Sequence, residues 1–292
     1  MAMSRATSTV VDVTAFLLLV GAAVAVVVNG AAVETPATDN PAAERAELLA
    51  SSTASVEYAL SVPGQPPKWT TNATASHQRT AHGTLAELLG EAAMGRVSVD
   101  GKRLSAAGTG FEAAVARTTR ARLHERGLRT AVRARWEPYR GAPVDAEMRV
   151  GKRPPQSAGV DAATTTVPSP APATRERAQR AANENGYTGV ATVVAGAVVE
   201  GLFPPRESQL ALDGDYPSDR LMAGRYRRMG QLTGAGNLSI ETRSATKLNE
   251  RLQTALAARL ERDMRSRFDS PQAAADAVRT GDITLTVRTW EP

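Results

Sequence analysis

Residues able to do chemistry are sparse in this chain, and their spacings argue against most reactions. The three histidines, His77, His82 and His124, show neither an HExxH pattern nor a zinc-ligand spacing. His77 and His82 sit in a polar stretch where solvation is the default. Gly108-Thr-Gly110-Phe-Glu-Ala113 imitates the start of a dinucleotide fingerprint. The strand before it is short and polar, and no βαβ series surrounds it, so a helix-start turn is expected. Asp213-Gly-Asp215 with Asp219 offers carboxylates to calcium, but the twelve-residue loop with its closing Glu is missing, so an ordinary turn is expected. Nucleophile elbow and phosphate-binding lysine loop are both missing from the sequence. The chain has no cysteine, which excludes disulfides, thiolate metal sites and cysteine nucleophiles. No residue is therefore assigned a catalytic, cofactor-binding or metal-binding role, and a non-enzymatic protein without a cofactor is expected.

Charge is the remaining chemical resource. The formal net charge is +5, carried mainly by arginine, with clusters at Arg117 to Arg135 and Arg220 to Arg228. Helix faces on which arginine meets nearby Glu and Asp account for most of these. Aromatic residues are not interleaved with the first cluster, so nucleic acid is not an expected partner. Anionic headgroups and acidic surface glycans are the partners whose chemistry fits.

The residues that must position all this follow an unusual N-terminus. From Thr9 to about Val33 the only ionisable side chain is Asp12. About 20 apolar residues, each rising about 1.5 Å, span a hydrocarbon core of about 30 Å. Val10 to Val28, with Ala31 to Val33 beyond, meets that length. Arg5 precedes the run, whereas Glu34, Asp39 and Glu44 follow it. The positive-inside rule puts the N-terminus in the cytoplasm and the rest outside, a single-pass protein of the cell membrane. An uncleaved signal anchor and a secretory signal cut near Ala31-Ala32 both fit this pattern.

A third reading rests on Arg5-Ala6, Thr7, and Ser8 opening directly into the apolar run. This arrangement resembles the class III signal of archaeal type IV pilins and pseudopilins. The resemblance implies processing between Thr7 and Ser8, which would make Asp12 the fifth residue of the mature chain. There it would neutralise the N-terminal amine of a neighbouring subunit in an apolar helix bundle. Thr7 is not the most typical residue before the cut, and Asp replaces the usual Glu. The whole chain is similar to uncharacterised haloarchaeal membrane proteins associated with pilus-like systems, through SRATSTVVDVTAFLLLVGAA, GLFPP and RYRRM. Its basic charge departs from that group, whose exported members are normally acidic.

Beyond the membrane segment (1–33), an α+β fold of helices packed on short antiparallel strands is expected. Helices are predicted over Ala42–Leu49, Thr84–Met94 (with Thr84 and Glu87 in capping-box spacing) and Phe111 up to Gly127. Ser55–Val62 and Val132–Trp136 alternate like strands, and Asp100-Gly101 signals a hairpin. A polar loop is predicted from Lys68 to His82. Residues 34–152 make one exterior half, 153–173 (RPPQSAGVDAATTTVPSPAPA) a mobile linker, and 174–292 a second, mainly helical half. In that half Val190 to Val199 suits a buried helix ending at Phe203-Pro204-Pro205, and Leu248, Leu252, Leu256, Leu260, Met264 and Phe268 form a core-facing stripe. Ile283–Val287 alternates as a closing strand. Both halves end alike, in Arg135-Trp-Glu-Pro138 and Arg288-Thr-Trp-Glu-Pro292, which suggests duplication. The spacings place the two tryptophans on opposite strand faces. Asn72-Ala-Thr74 and Asn237-Leu-Ser239 are glycosylation sequons if the chain is exported.

Overall fold

Alternating apolar side chains, recurring in strands far apart in the chain, build one antiparallel main sheet and set its layers. A computed structural model describes residues 40–61, 78–124, 127–236, 238 and 244–292. The first part runs α1 (Pro41–Ser51), β1 (Thr53–Ala59), β2 (Gln78–Thr84), α2 (Leu85–Met94), β3 (Ser98–Val99), β4 (Lys102–Arg103), α3 (Thr109–Arg122), β5 (Arg129–Trp136) and β6 (Val144–Val150). There follow β7 (Asp161–Pro168), α4 (Arg175–Leu202), α5 (Pro205–Asp213), α6 (Ser218–Thr233), α7 (Ala245–Arg267), α8 (Pro271–Asp276) and β8 (Asp282–Trp290). The fold is α+β with antiparallel sheets.

Six strands form the main sheet in the order β4-β3-β6-β5-β8-β7, and β1 and β2 pair separately. Val132 of β5 lies opposite Val150 of β6 and Val287 of β8, and Ala134 opposite Met148 and Leu285. Directly opposed residues share a face. These six, with Trp136, Ala146 and Ile283, are buried on one side of the sheet. Helices α1, α2 and α3 cover that side. The capping box at the start of α2 is present: Glu87 N donates to Thr84 Oγ1 at 3.2 Å, and Thr84 N donates to Glu87 Oε2 at 2.8 Å. Asp100 (φ 47°) and Gly101 (φ 73°) make the tight β3–β4 hairpin.

A helical layer adjoins. The face of α4 formed by Val190, Ala191, Val194, Ala195, Val198 and Val199 is buried, and α4 packs on α7 and α8. The stripe of α7 is buried from Leu248 to Met264, whereas Phe268, just past the helix end, is half-buried. Polar ties join this layer to the sheet. Tyr139, in the turn after β5, donates to Asp263 Oδ2 at 2.9 Å, and Arg267 pairs with Asp263 at 3.0 Å. The buried Trp136 donates Nε1–H to the carbonyl of Thr280 at 2.8 Å. Among the described residues no single helix is long and apolar enough to cross a membrane; α4 and α5 reach that length and composition only as a pair bent by 44°.

Three expectations are corrected. Gln78 to His82, placed in the polar loop, belongs to the strand β2 (Gln78–Thr84), with His82 opposite Ser55 of β1. The 153–173 segment is no mobile linker across its length. Asp161–Pro168 is an edge strand along β8, and Ser169 then donates to the Thr280 carbonyl at 2.6 Å. Its threonines bury little but suit a strand, and ladder bonds to β8 supply what apolar burial lacks. Finally, 34–152 and 174–292 are not separate units. Pro41–Pro292 is one compact unit, because β8 from the second half lies between β5 and β7. As the spacing implied, Trp136 faces the core, whereas Trp290 projects to the other side opposite Arg129. The membrane segment at 1–33 lies outside the described residues.

Leu256 has no exposed surface, whereas Leu210 is 74 % exposed. Leu256→Ala should cost about 2–5 kcal/mol in chemical denaturation, and Leu210→Ala less than about 0.5 kcal/mol. Equal losses would contradict the packing described.

Candidate anion-binding groove

The sheet side opposite the core is where charge collects. The odd-numbered positions of β5, the side chains between its buried ones, include Arg133 and Arg135. On β6 the outward set is Asp145, Glu147 and Arg149, and on β8 it is Thr284, Thr286 and Arg288. Antiparallel register puts Arg149, Arg133 and Thr286 in one row across three strands. Directly opposed like charges are destabilising. Glu147 relieves this pair by binding both: Arg133 Nε donates to Glu147 Oε2 at 2.8 Å, and Arg149 Nε pairs with Glu147 Oε1. Burial alone would raise the Glu147 pKa, but the hydrogen bonds and charges of Arg133 and Arg149 prevail and hold it below 4.5. Arg135 is neutralised by Glu137 at 2.8 Å.

A depression of about 320 Å³ opens on this row, walled by Arg133, Arg149, Lys152, Arg153, Thr286 and Arg288. A second, of about 480 Å³, adjoins it through the shared residues Val150 to Arg153 and adds Arg120, His124, Arg129 and Trp290. Trp290, pointing away from the main core yet nearly buried, gives this second basin an apolar wall. Both basins depend on the chain turn after β6. Gly151 holds φ +89°, and a Cβ there would stand 2.3 Å from the Thr130 carbonyl oxygen. Only glycine lets Lys152 and Arg153 pass so close to β5.

Among the described residues, Arg120, Arg129, Lys152, Arg153 and Arg288 form no ion pair. All five are exposed. Glu147 is the one acid adjoining the first basin's arginines through ion pairs, so the groove keeps a strong positive excess. Its chemistry is that of a flat, solvated anion receptor, with guanidinium forks suited to carboxylate or sulfate.

The comparisons with known proteins bear on what this groove belongs to. The chain belongs to a family of unknown function, DUF7284. The family's profile matches residues 11–290, nearly all of the apolar N-terminal run and of the described region. No curated protein and no solved structure matches the chain.

The structure brings together only some of the residues singled out in the sequence. Arg120, Arg129 and Arg133 of the first arginine cluster meet in the groove, with His124. The second cluster is scattered: Arg228 donates to the Arg103 carbonyl at 3.2 Å, and Arg225 to the Leu202 carbonyl at 3.0 Å. Gly108 and Gly110 start α3, as a helix-start turn should, and a Cβ on Gly110 would strike the Ala59 carbonyl. No cluster of three metal-ligating side chains occurs among the described residues, Asp213, Asp215 and Asp219 included. Asp12, Thr7, Ser8, Asn72, Asn237 and His77 lie outside the described residues. Arg149, Lys152, Arg153 and Arg288 were not singled out. Arg149 and Arg288 are outward positions of alternating strands and Lys152 and Arg153 follow the turn after β6, but nothing local says those strands are neighbours.

Glu147 also sets a pH dependence. Its folded pKa is depressed, so its stabilising contribution is present above the ordinary value of 4.5 and is lost as pH falls through the folded value. Glu147→Gln should remove that acid-side component from a pH series of denaturation midpoints. It should also strengthen polyanion binding at neutral pH by freeing Arg133 and Arg149. An unchanged acid limb would show that the bridge contributes nothing.

Proposed function

We propose that this protein is a membrane-anchored, non-enzymatic component of the cell envelope whose outward region binds an acidic partner through the arginine groove. The single observation that carries the reading is the groove itself. Two adjoining basins hold five exposed cations without an ionic partner among the described residues. Cations left unpaired along one sheet face favour an extended anionic chain over a single small anion, because each contact adds a weak, screened attraction. The apolar run Val10 to Val28 supports the anchor, and the flanking charges support a cytoplasmic N-terminus with residues 41–292 outside. In that compartment the acidic partners are surface glycans, proteins or headgroups, not nucleic acid. The lack of a nucleophile elbow, an HExxH pattern or a phosphate-binding lysine loop in the sequence supports a binding role over a catalytic one.

A second reading makes the same anchored chain a pilin-like or pseudopilin subunit, or an assembly factor for one. The observation favouring it is Arg5-Ala6-Thr7-Ser8 ahead of Asp12 and the apolar run. Asp12 would then pair with the amine of a neighbouring subunit, and the bilayer and like subunits would be its partners.

Two experiments separate these. Full-length protein should bind immobilised alginate, a polyuronate, with affinity falling steeply as salt rises. Arg153→Ala with Arg288→Ala should weaken it about tenfold and flatten the salt slope. Binding that ignores both salt and these arginines would remove the groove from the account. A mature N-terminus at Ser8, with assembly lost in Asp12→Ala, supports the pilin-like reading; an intact Met1 or a start near Ala32 rejects it.

A further inference from the structure

Outside the groove, one cavity combines an apolar wall with a single guanidinium. It measures about 550 Å³ and lies between the β3–β4 region, α5 and α6. Leu60, Val97, Leu104, Leu202, Leu221 and Met222 supply apolar surface, and Arg225 supplies the charge. That volume falls within the roughly 300–1,000 Å³ of small-molecule sites.

Arg225 is half-buried. Its guanidinium carbon sits 5.3 Å from the centroid of the Phe203 ring, and Nη2 donates to the Leu202 carbonyl at 3.0 Å. Among the described residues no carboxylate pairs with it, and no further hydrogen bond satisfies the other N–H groups. Burial pulls its pKa below the ordinary value, and the neighbouring Tyr226 opposes this. A guanidinium does not lose its proton in a protein, so the cost of partial desolvation stands uncompensated. Stacking on Phe203 and the bond to Leu202 hold the fork in place while leaving donors free.

Glu207 is the acid in the cavity lining, and it is exposed to solvent. Among the described residues, Arg225 is the only cation in that lining. The site thus suits one compact negative group rather than a polyanion. The remaining surface suits an aliphatic body, and Met94 and Met222 can adjust to its shape.

We propose that this cavity binds a small amphiphilic monocarboxylate, its carboxylate on Arg225 and its aliphatic chain against the leucines. The site is separate from the arginine groove and does not depend on the groove's function. A carboxylate would accept two parallel N–H bonds from the guanidinium, and the chain would displace water from the apolar wall.

The test is equilibrium dialysis of labelled octanoate against full-length protein in detergent, with octanamide as the uncharged isostere. One saturable octanoate site is expected, with octanamide weaker by about tenfold or more. Arg225→Met should weaken octanoate to the octanamide level without changing octanamide itself. Met222→Trp, which fills the cavity while keeping Arg225, should abolish both, and it carries the comparison if Arg225→Met fails to fold. No saturable site, equal affinity for octanoate and octanamide, or full binding by either folded variant would overturn the proposal.

Discussion

Insertion of β8 between β5 and β7 is the constraint on which the described region depends. A strand contributed by residues 282–290 pairs along seven positions with β5 and eight with β7. On its inner side Ile283, Leu285 and Val287 close the core beneath the first helices; on its outer side Thr284, Thr286 and Arg288 extend the polar face. Such long-range pairing costs loop-closure entropy before any contact returns it. The apolar side chains that β8 buries supply that return. The edge strand β7 has few apolar side chains of its own and takes its place through the β8 ladder. The same strand makes one unit of what composition divides into two halves.

Electrostatics then divides the arginines into those that hold the fold and those left over. The buried Glu112 is clasped by Arg96 at 2.6 Å and by Arg103, while Arg259 pairs with Asp100 of the hairpin. These tie helices to the short β3–β4 hairpin. Glu147 and Glu137 neutralise arginines on the outer sheet face, at a surface where such pairs contribute at most about 1 kcal/mol each. Among the described residues, Arg120, Arg129, Lys152, Arg153 and Arg288 form no such pair. Cations with structural partners and cations without them lie side by side, and only the second set is free for an outside ligand.

The two basic surfaces differ in physical character. The groove is shallow, hydrated and multiply charged, so its attraction to an anion is screened by salt. The cavity by Arg225 is apolar and holds one cation, so water exclusion strengthens its single contact. Arginines 117 to 135 and 220 to 228 look alike as clusters in the sequence. Their fates diverge because one cluster feeds a sheet face open to solvent, and the other lies on α6, packed against α5 and α7.

Local patterns were determined by the sequence alone. The capping box at Thr84, the Asp100-Gly101 hairpin, the four-residue stripe of α7 and the alternation in β5 and β8 are each written within a few residues. The α+β class follows from them. The opposed faces of Trp136 and Trp290 also follow, since an odd or even step along a strand is a local count. What only the tertiary structure decided is which strands are neighbours. The groove needs Arg133, Arg149 and Arg288 on one face, and they come from three strands separated by up to 155 positions. The threonine-rich edge strand likewise becomes a strand only beside β8. Side-chain period is a property of each segment, whereas strand order is set by how all the apolar faces are buried together, and no short window of sequence contains that.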